Sequence, residues 1–240
     1  MTDCSEQKVN PYDHGPYHWF LPYFYDRKYK RALELVPDLL KPTDLLLDLG
    51  CGDGRLTALL ARQVQLVVGL DNQLLPLQFA RLLIHADNVK LCRGDVRALL
   101  FPNAVFDTVI CFDVIEHIPQ EDAHRLITEV HRVLRPGGLF VIVTPNRDSL
   151  HNRVWGHELN PKHYHEYNLP ELSETLAAHG YEVKRTAGIY LPPLVLQPYL
   201  EHYASVFPLK WIFVALIRAG KRLPTWSEKL LLVAKRGETS

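Results

Sequence analysis

Residues 45–54 read Leu-Leu-Leu-Asp-Leu-Gly-Cys-Gly-Asp-Gly and run directly into Arg-Leu-Thr-Ala-Leu-Leu-Ala-Arg-Gln at 55–63. The apolar run is too short for a helix and gives way to an acidic residue, alternating glycines at Gly50, Gly52 and Gly54, and a helix-forming segment. This pattern predicts a buried strand, a tight turn and a helix N-terminus. Glycine is needed where the backbone takes positive φ or where a ligand approaches with no Cβ in its way. The turn is therefore expected to carry a small molecule. A Walker phosphate loop is excluded because Gly54 is followed by Arg55-Leu56 instead of Lys-Ser/Thr. A dinucleotide fingerprint would want a further glycine inside the helix, where the chain has Leu56, Thr57 and Ala58. The spacing favours a different adenosyl ligand.

Beyond the helix Arg55 to Gln63, a second apolar run from Leu66 to Leu70 ends on Asp71, followed by Asn72. This is the distance downstream at which an acid that accepts ribose hydroxyls sits in such folds. Val89 to Arg93 reads as a third strand leading into Gly94-Asp95-Val96. Thr108 to Phe112 and Leu139 to Thr144 read as the fourth and fifth strands, and Tyr181 to Thr186 and Leu230 to Lys235 as the last two. Strands alternating with helices predict an α/β doubly wound sheet. Asn168 is placed to cap the helix before the sixth strand, with Glu171 reaching back and an end near Gly180.

With these motifs in order, the chain resembles the class I S-adenosylmethionine-dependent methyltransferases over residues 41–184. The resemblance rests on Asp48 through Gly54, Asp71, Gly94-Asp95-Val96, Asp113-Val114-Ile115-Glu116-His117, and Leu134-Arg135-Pro136-Gly137-Gly138. It implies a seven-stranded Rossmann-like sheet with helices on both faces and S-adenosyl-L-methionine as cofactor. It also implies that Asp48, Gly50, Gly52 and Gly54 hold the methionine part and that Asp71, with Asn72, binds the ribose. Asp95 and the Val96 amide would meet the adenine edge, and Phe112 would flank the sulfonium.

The chain has 240 residues, 47% hydrophobic and 22% charged, enough to bury one α/β core, so a single domain is expected. It divides into an N-terminal cap (1–40), a cofactor core (41–186), a substrate-side insertion (187–229) and a last strand with tail (230–240). Basic and acidic residues balance at 27 each, which argues against a nucleic-acid partner. The basic run at 27–31 reads as the solvated face of a helix before the first strand. Cys4, Cys51, Cys92 and Cys111 lack the spacing of a disulfide framework or zinc ribbon, and residues 1–15 carry no apolar signal region, so a cytoplasmic setting is expected. The apolar stretch 189–219 is broken by prolines and charges and does not read as a spanning helix, although peripheral contact with lipid is compatible with it.

Two segments remain to build an acceptor site. The first, residues 12–30, crowds Tyr17, His18, Trp19, Phe20 and further aromatics into a short span suited to a lid over a ligand, and it resembles a His-Trp-Trp-Phe segment found in part of this methyltransferase group. Packing of a helix on the core by its aromatics explains the same density. The second, residues 145–167, carries Asn146, His151, His157, His163 and His165 at the carboxyl end of the sheet. These segments, with apolar residues 191–216, point to a small or lipid-linked acceptor methylated on oxygen. An alcohol or phenol must lose a proton, and His117 is the candidate base, with His163 and His165 as weaker substrate-side candidates. No metal is expected.

One competing reading groups Asp113, Glu116 and His117 with His163 or His165 around a hard divalent cation. That arrangement resembles the small-RNA 3′-terminal 2′-O-methyltransferases, although the first position is Asp113 where that family has Glu, and zero net charge opposes RNA. A third reading, an inactive cofactor-binding partner subunit, has little support because Asp71, Asp95 and His117 are all present.

Overall fold

A computed structural model describes residues 29–30, 32–34, 38–190 and 221–238. The aromatic segment with Tyr17, His18 and Trp19, the apolar residues 191–216 and Cys4 lie outside the described residues.

The strands are β1 (Leu45–Leu49), β2 (Leu66–Asp71), β3 (Val89–Arg93), β4 (Phe106–Phe112), β5 (Leu134–Pro145), β6 (Tyr181–Ile189) and β7 (Lys229–Arg236). They form one sheet in the order β3-β2-β1-β4-β5-β7-β6. All pairings from β3 to β5 are parallel, and β7 runs antiparallel to both β5 and β6. The helices are α1 (Arg55–Leu60), α2 (Leu74–Leu83), α3 (Gln120–Val133), α4 (Leu150–Trp155) and α5 (Leu169–Ala178).

Alternation along the strands sends neighbouring residues to opposite faces, and both faces are covered. Leu47, Leu49, Val109, Cys111 and Phe140 pack with Leu126, Val130 and Leu172 on one side. Leu46, Ile110, Val141, Val143 and Leu231 pack with Leu56 and Leu60 on the other, where helical Tyr29 and Ala32 join them. The expected doubly wound sheet is therefore observed. Cys51, Cys92 and Cys111 are free thiols. Among the described residues, no helix is long and apolar enough to cross a membrane.

Several element bounds differ from those read in the sequence. The first helix stops at Leu60 and continues as turns over 61–63, because the chain must descend at once into β2. β4 starts two residues earlier than expected, at Phe106. β5 starts at Leu134 instead of Leu139: Leu134 pairs with Phe106, the register shifts, and the regular ladder resumes at Thr108 and Leu139, so the Arg-Pro-Gly-Gly run is an irregularity inside the strand. β6 continues to Ile189 and β7 begins at Lys229, consuming both ends of the expected insertion. Asn168 caps α5, accepting from the Glu171 amide at 3.0 Å. Glu171 does not reach back, because its carboxylate pairs with His165 Nε2 (2.6 Å) and Arg147 (3.0 Å).

Candidate active site

The carboxyl ends of β1 and β2 meet at the glycine turn. Gly50, Gly52 and Gly54 all lie in the left-handed region, with φ of +68°, +53° and +76°. The turn is tied to β2 from two directions: the Gly50 and Cys51 amides donate to the Leu70 carbonyl, and the Gly52 amide donates to Asp71 Oδ2 at 2.9 Å. The other Asp71 oxygen accepts from the Gln73 amide at 2.8 Å. Asp71 thus fixes the turn while sitting at its edge. The three glycines have different duties. A Cβ on Gly50 would stand 2.3 Å from Val114 Cγ2, and one on Gly54 would stand 2.4 Å from Ile84 Cδ1, whereas one on Gly52 would meet no atom within 4 Å. Gly50 and Gly54 permit close packing. Gly52 faces open space, where a ligand can approach the backbone.

The remaining donor-side candidates fall into two groups. Asp48 is 1% exposed and accepts from the Thr57 hydroxyl at 2.6 Å, joining β1 to α1. Burial pushes its pKa up to about 7, against the Thr57 hydrogen bond and helped by the charge of Asp71. Phe112 is buried, edge-on to Tyr29 with ring centroids 5.0 Å apart, and Val96 packs on the core. Nearer the surface, Asn72 is exposed and its carbonyl accepts from Arg93 Nε. Asp95 is bound by Arg97, which donates to both carboxylate oxygens and also reaches Asp122, and this hydrogen bonding holds the Asp95 carboxyl below its usual range.

The loop after β4 touches the glycine turn directly, through Val114 against Gly50. It opens with Asp113 at φ +54°, a left-handed conformation unusual for a residue with a side chain. Lys229, at the start of β7, donates to Asp113 Oδ1 at 2.6 Å. Next come Glu116 and His117 in a short 3-10 turn. Glu116 is 1% exposed and accepts from the Thr144 hydroxyl at 3.0 Å, and its main-chain carbonyl accepts from the Tyr164 amide at 2.8 Å. Burial pushes its carboxyl up to about 7, with Asp113 adding to the rise and Lys229 opposing it.

His117 is open to solvent on one side. Its Nδ1–H donates to the Lys162 carbonyl at 2.9 Å, a pairing that leaves the neutral ring with its lone pair on Nε2. Burial of its packed face lowers its pKa, outweighing the Lys162 carbonyl, which favours the protonated form. His163 lies against it, with ring centroids 4.7 Å apart and planes at 80°. Glu166, only 8% exposed, accepts from His163 Nδ1 at 2.5 Å and from His157 Nε2 at 2.9 Å. Burial favours the neutral Glu166, but the two histidine hydrogen bonds outweigh it and hold the carboxyl low. One atom each of Glu116, His117 and His163 lies within 4.8 Å of the others. His165 is turned away to Glu171, and Asn146 is a structural clamp whose amide donates to the Ser227 carbonyl at 2.8 Å.

Sequence reasoning placed His117 and His163 but missed Glu166, Lys229 and the Lys162 carbonyl as their neighbours' partners. Glu166 had a local signal, since it stands three residues after His163 in a histidine-rich loop. Lys229 had none.

A family model described as a methyltransferase domain matches residues 47–142. A protein of Mycolicibacterium smegmatis named a probable S-adenosylmethionine-dependent methyltransferase is 34% identical over 186 residues, covering 78% of this chain and 68% of that one. The chain is an S-adenosylmethionine-dependent methyltransferase. The ubiquinone biosynthesis O-methyltransferase of Acinetobacter baylyi is 29% identical, over 66% of this chain and 69% of that one. The methyltransferase solved in complex with the Haloferax volcanii Trm112 activator superposes with a TM-score of 0.66 at 20% identity, covering 91% and 93% of the two chains, and shares the fold.

The methyltransferase's own residues fit the cofactor. The open face of Gly52 leaves room beside a turn whose amides and glycine conformations are already fixed, and Asp71 presents a carboxylate at its edge. S-adenosylmethionine supplies a methyl group on a sulfonium leaving group, so the methyltransferase has chiefly to position donor and acceptor.

Proposed function

We propose that this methyltransferase transfers its methyl group to an oxygen of a small or lipid-linked metabolite, with His117 taking the acceptor's proton. The observation that carries the reading is the contact of Val114 with Gly50, which sets the His117 loop directly beside the donor turn. His117 has the tautomer a base requires: Nδ1–H is occupied by the Lys162 carbonyl, and the lone pair is on Nε2. Glu166 holds His163 beside it. The relative named for ubiquinone biosynthesis is an O-methyltransferase, which agrees with an oxygen nucleophile. The apolar sequence at 191–216 and the aromatic sequence at 17–25 have a composition that agrees with a greasy acceptor. In this reading Gly50, Gly52, Gly54 and Asp71 hold the donor, while Asp48 ties β1 to α1 through Thr57.

The test is incubation of the purified protein with methyl-labelled S-adenosylmethionine and a solvent-extracted metabolite and lipid fraction, followed by mass spectrometry. The expected product carries the label as a methoxy group, releasable by ether cleavage. Label fixed on carbon, or taken up only by added RNA, contradicts the reading. The RNA-end alternative is favoured by one observation, the closeness of Glu116, His117 and His163, and opposed by the balanced charge of the chain.

A further inference from the structure

The Glu116, His117 and His163 cluster is more than a base with neighbours. Both imidazoles are held in the same way. His117 gives its Nδ1–H to the Lys162 carbonyl and His163 gives its Nδ1–H to Glu166, so each ring keeps its lone pair on Nε2. Among the described residues, neither Nε2 has a hydrogen-bond partner. Metal-binding histidines are held in this manner: an oxygen acceptor on one ring nitrogen fixes the tautomer, orients the ring and raises the basicity of the other nitrogen. The third group, Glu116, is a buried carboxylate steadied by Thr144. Glu166 is itself braced by His157, so the support extends one shell further out.

Asp113 and Lys229 pair with each other, while the Glu116 carboxyl lies within ligand distance of the two rings and Glu166 is paired with His163. Asp113 is thereby withdrawn from the ligand set expected from the sequence, and His165 is withdrawn by Glu171. What remains is two imidazoles and one carboxylate. Magnesium and calcium select all-oxygen sets, whereas a His-His-Glu set suits zinc and its neighbours in the first transition row.

We infer that Glu116, His117 and His163 form a binding site for a divalent transition-metal ion of the zinc class, which also acts as a reversible off-switch by occupying the His117 nitrogen that would accept the proton. The site itself is independent of the proposed reaction; the off-switch rests on the reading of His117 as base. An ion and a proton cannot share one lone pair, so a metal-loaded protein lacks that base until a chelator removes the ion.

The test uses the full chain, stripped with chelator and titrated with cobalt(II), whose visible ligand-field bands report four- or five-coordination by nitrogen and oxygen. The wild type should develop these bands at one equivalent, and zinc should abolish them. Glu116→Gln and His163→Ala should each lose them. Glu166→Gln should weaken cobalt binding by about 10–100-fold, the usual effect of removing a carboxylate that orients a metal-binding histidine. The stacked surface pair His124 and His179 is the obvious rival, and the His124→Ala/His179→Ala variant should keep the full spectrum. Calorimetric binding of S-adenosylmethionine to each variant confirms that its donor site is folded. If the wild type shows no cobalt or zinc binding by calorimetry, or if the bands survive in Glu116→Gln/His163→Ala, the site is refuted, whatever any variant does in folding. With the metabolite fraction that takes up label, zinc should suppress transfer and chelator restore it. Stimulation by zinc would uphold the site while overturning both the off-switch and the role of His117 as base.

Discussion

The glycine turn and the proposed acceptor side of this methyltransferase touch at Gly50 and Val114 but are built by different means. The donor side is backbone: three left-handed glycines, two amides on one carbonyl, and a carboxylate capping two amides, all drawn from residues 48–73. The proposed acceptor side is a set of side chains held by groups far along the chain: Asp113 by Lys229, His117 by the Lys162 carbonyl, Glu116 by Thr144. A backbone cradle is specified by a short stretch of sequence. A side-chain cluster depends on the whole fold, and its chemistry can change by single residues while the cradle stays the same. This is the physical sense in which one cofactor fold can serve many acceptors.

The largest effect should come from breaking the cradle alone. Gly52→Arg should abolish S-adenosylmethionine binding while leaving the protein folded, because the added side chain enters open space and costs only about 1–3 kcal/mol of left-handed strain. Calorimetry and a thermal melt on the same sample check both halves. Gly54→Arg should instead fail in the melt, since its side chain would strike Ile84 and Ala80.

Next in size is the acceptor side. His117→Ala should lower the transfer rate by about 10²–10⁴-fold. A rate within twofold of wild type would remove His117 from the proton transfer.

Two aspartates then sharpen the contrast within the donor side. Asp48 is structural, with a pKa raised from 3.8 to about 7 in the folded protein. A raised acid contributes stability that is present below its unfolded pKa and lost as pH rises through the folded value. Asp48→Asn mimics the protonated form, so the variant should be more stable than wild type at pH 8, by up to about 4 kcal/mol, and no more stable near pH 4. Denaturant melts at the two pH values decide it. Asp71→Ala should weaken donor binding by about 1.5–3 kcal/mol, through lost charge-assisted hydrogen bonds to the ligand and a loosened Gly52 amide.

The same contrast explains what was legible in the sequence. β3 has its expected bounds, and the strand, glycine turn and helix around residues 45–60 and the Asn168 cap are observed as expected, because each depends on residues within a few positions or on a periodic apolar pattern. β5 was read too short because Pro136 and the two glycines look like a strand boundary, and only pairing of Leu134 with Phe106 carries the strand past them. Asp95 is expected at the adenine edge from its motif, and its pairing with Arg97, two residues on, has no signal in that motif. Lys229 stands 116 residues from Asp113, and no local pattern links them. Glu166 acquires its meaning only when the loop folds back to place His163 beside His117.

The most direct test of the account measures both sides in one variant. His117→Ala should bind S-adenosylmethionine in the calorimeter with wild-type affinity while methyl transfer to the metabolite fraction falls by at least about a hundredfold. Parallel loss of donor binding and transfer would contradict it, showing that the His117 loop is part of the cofactor cradle rather than the acceptor's partner.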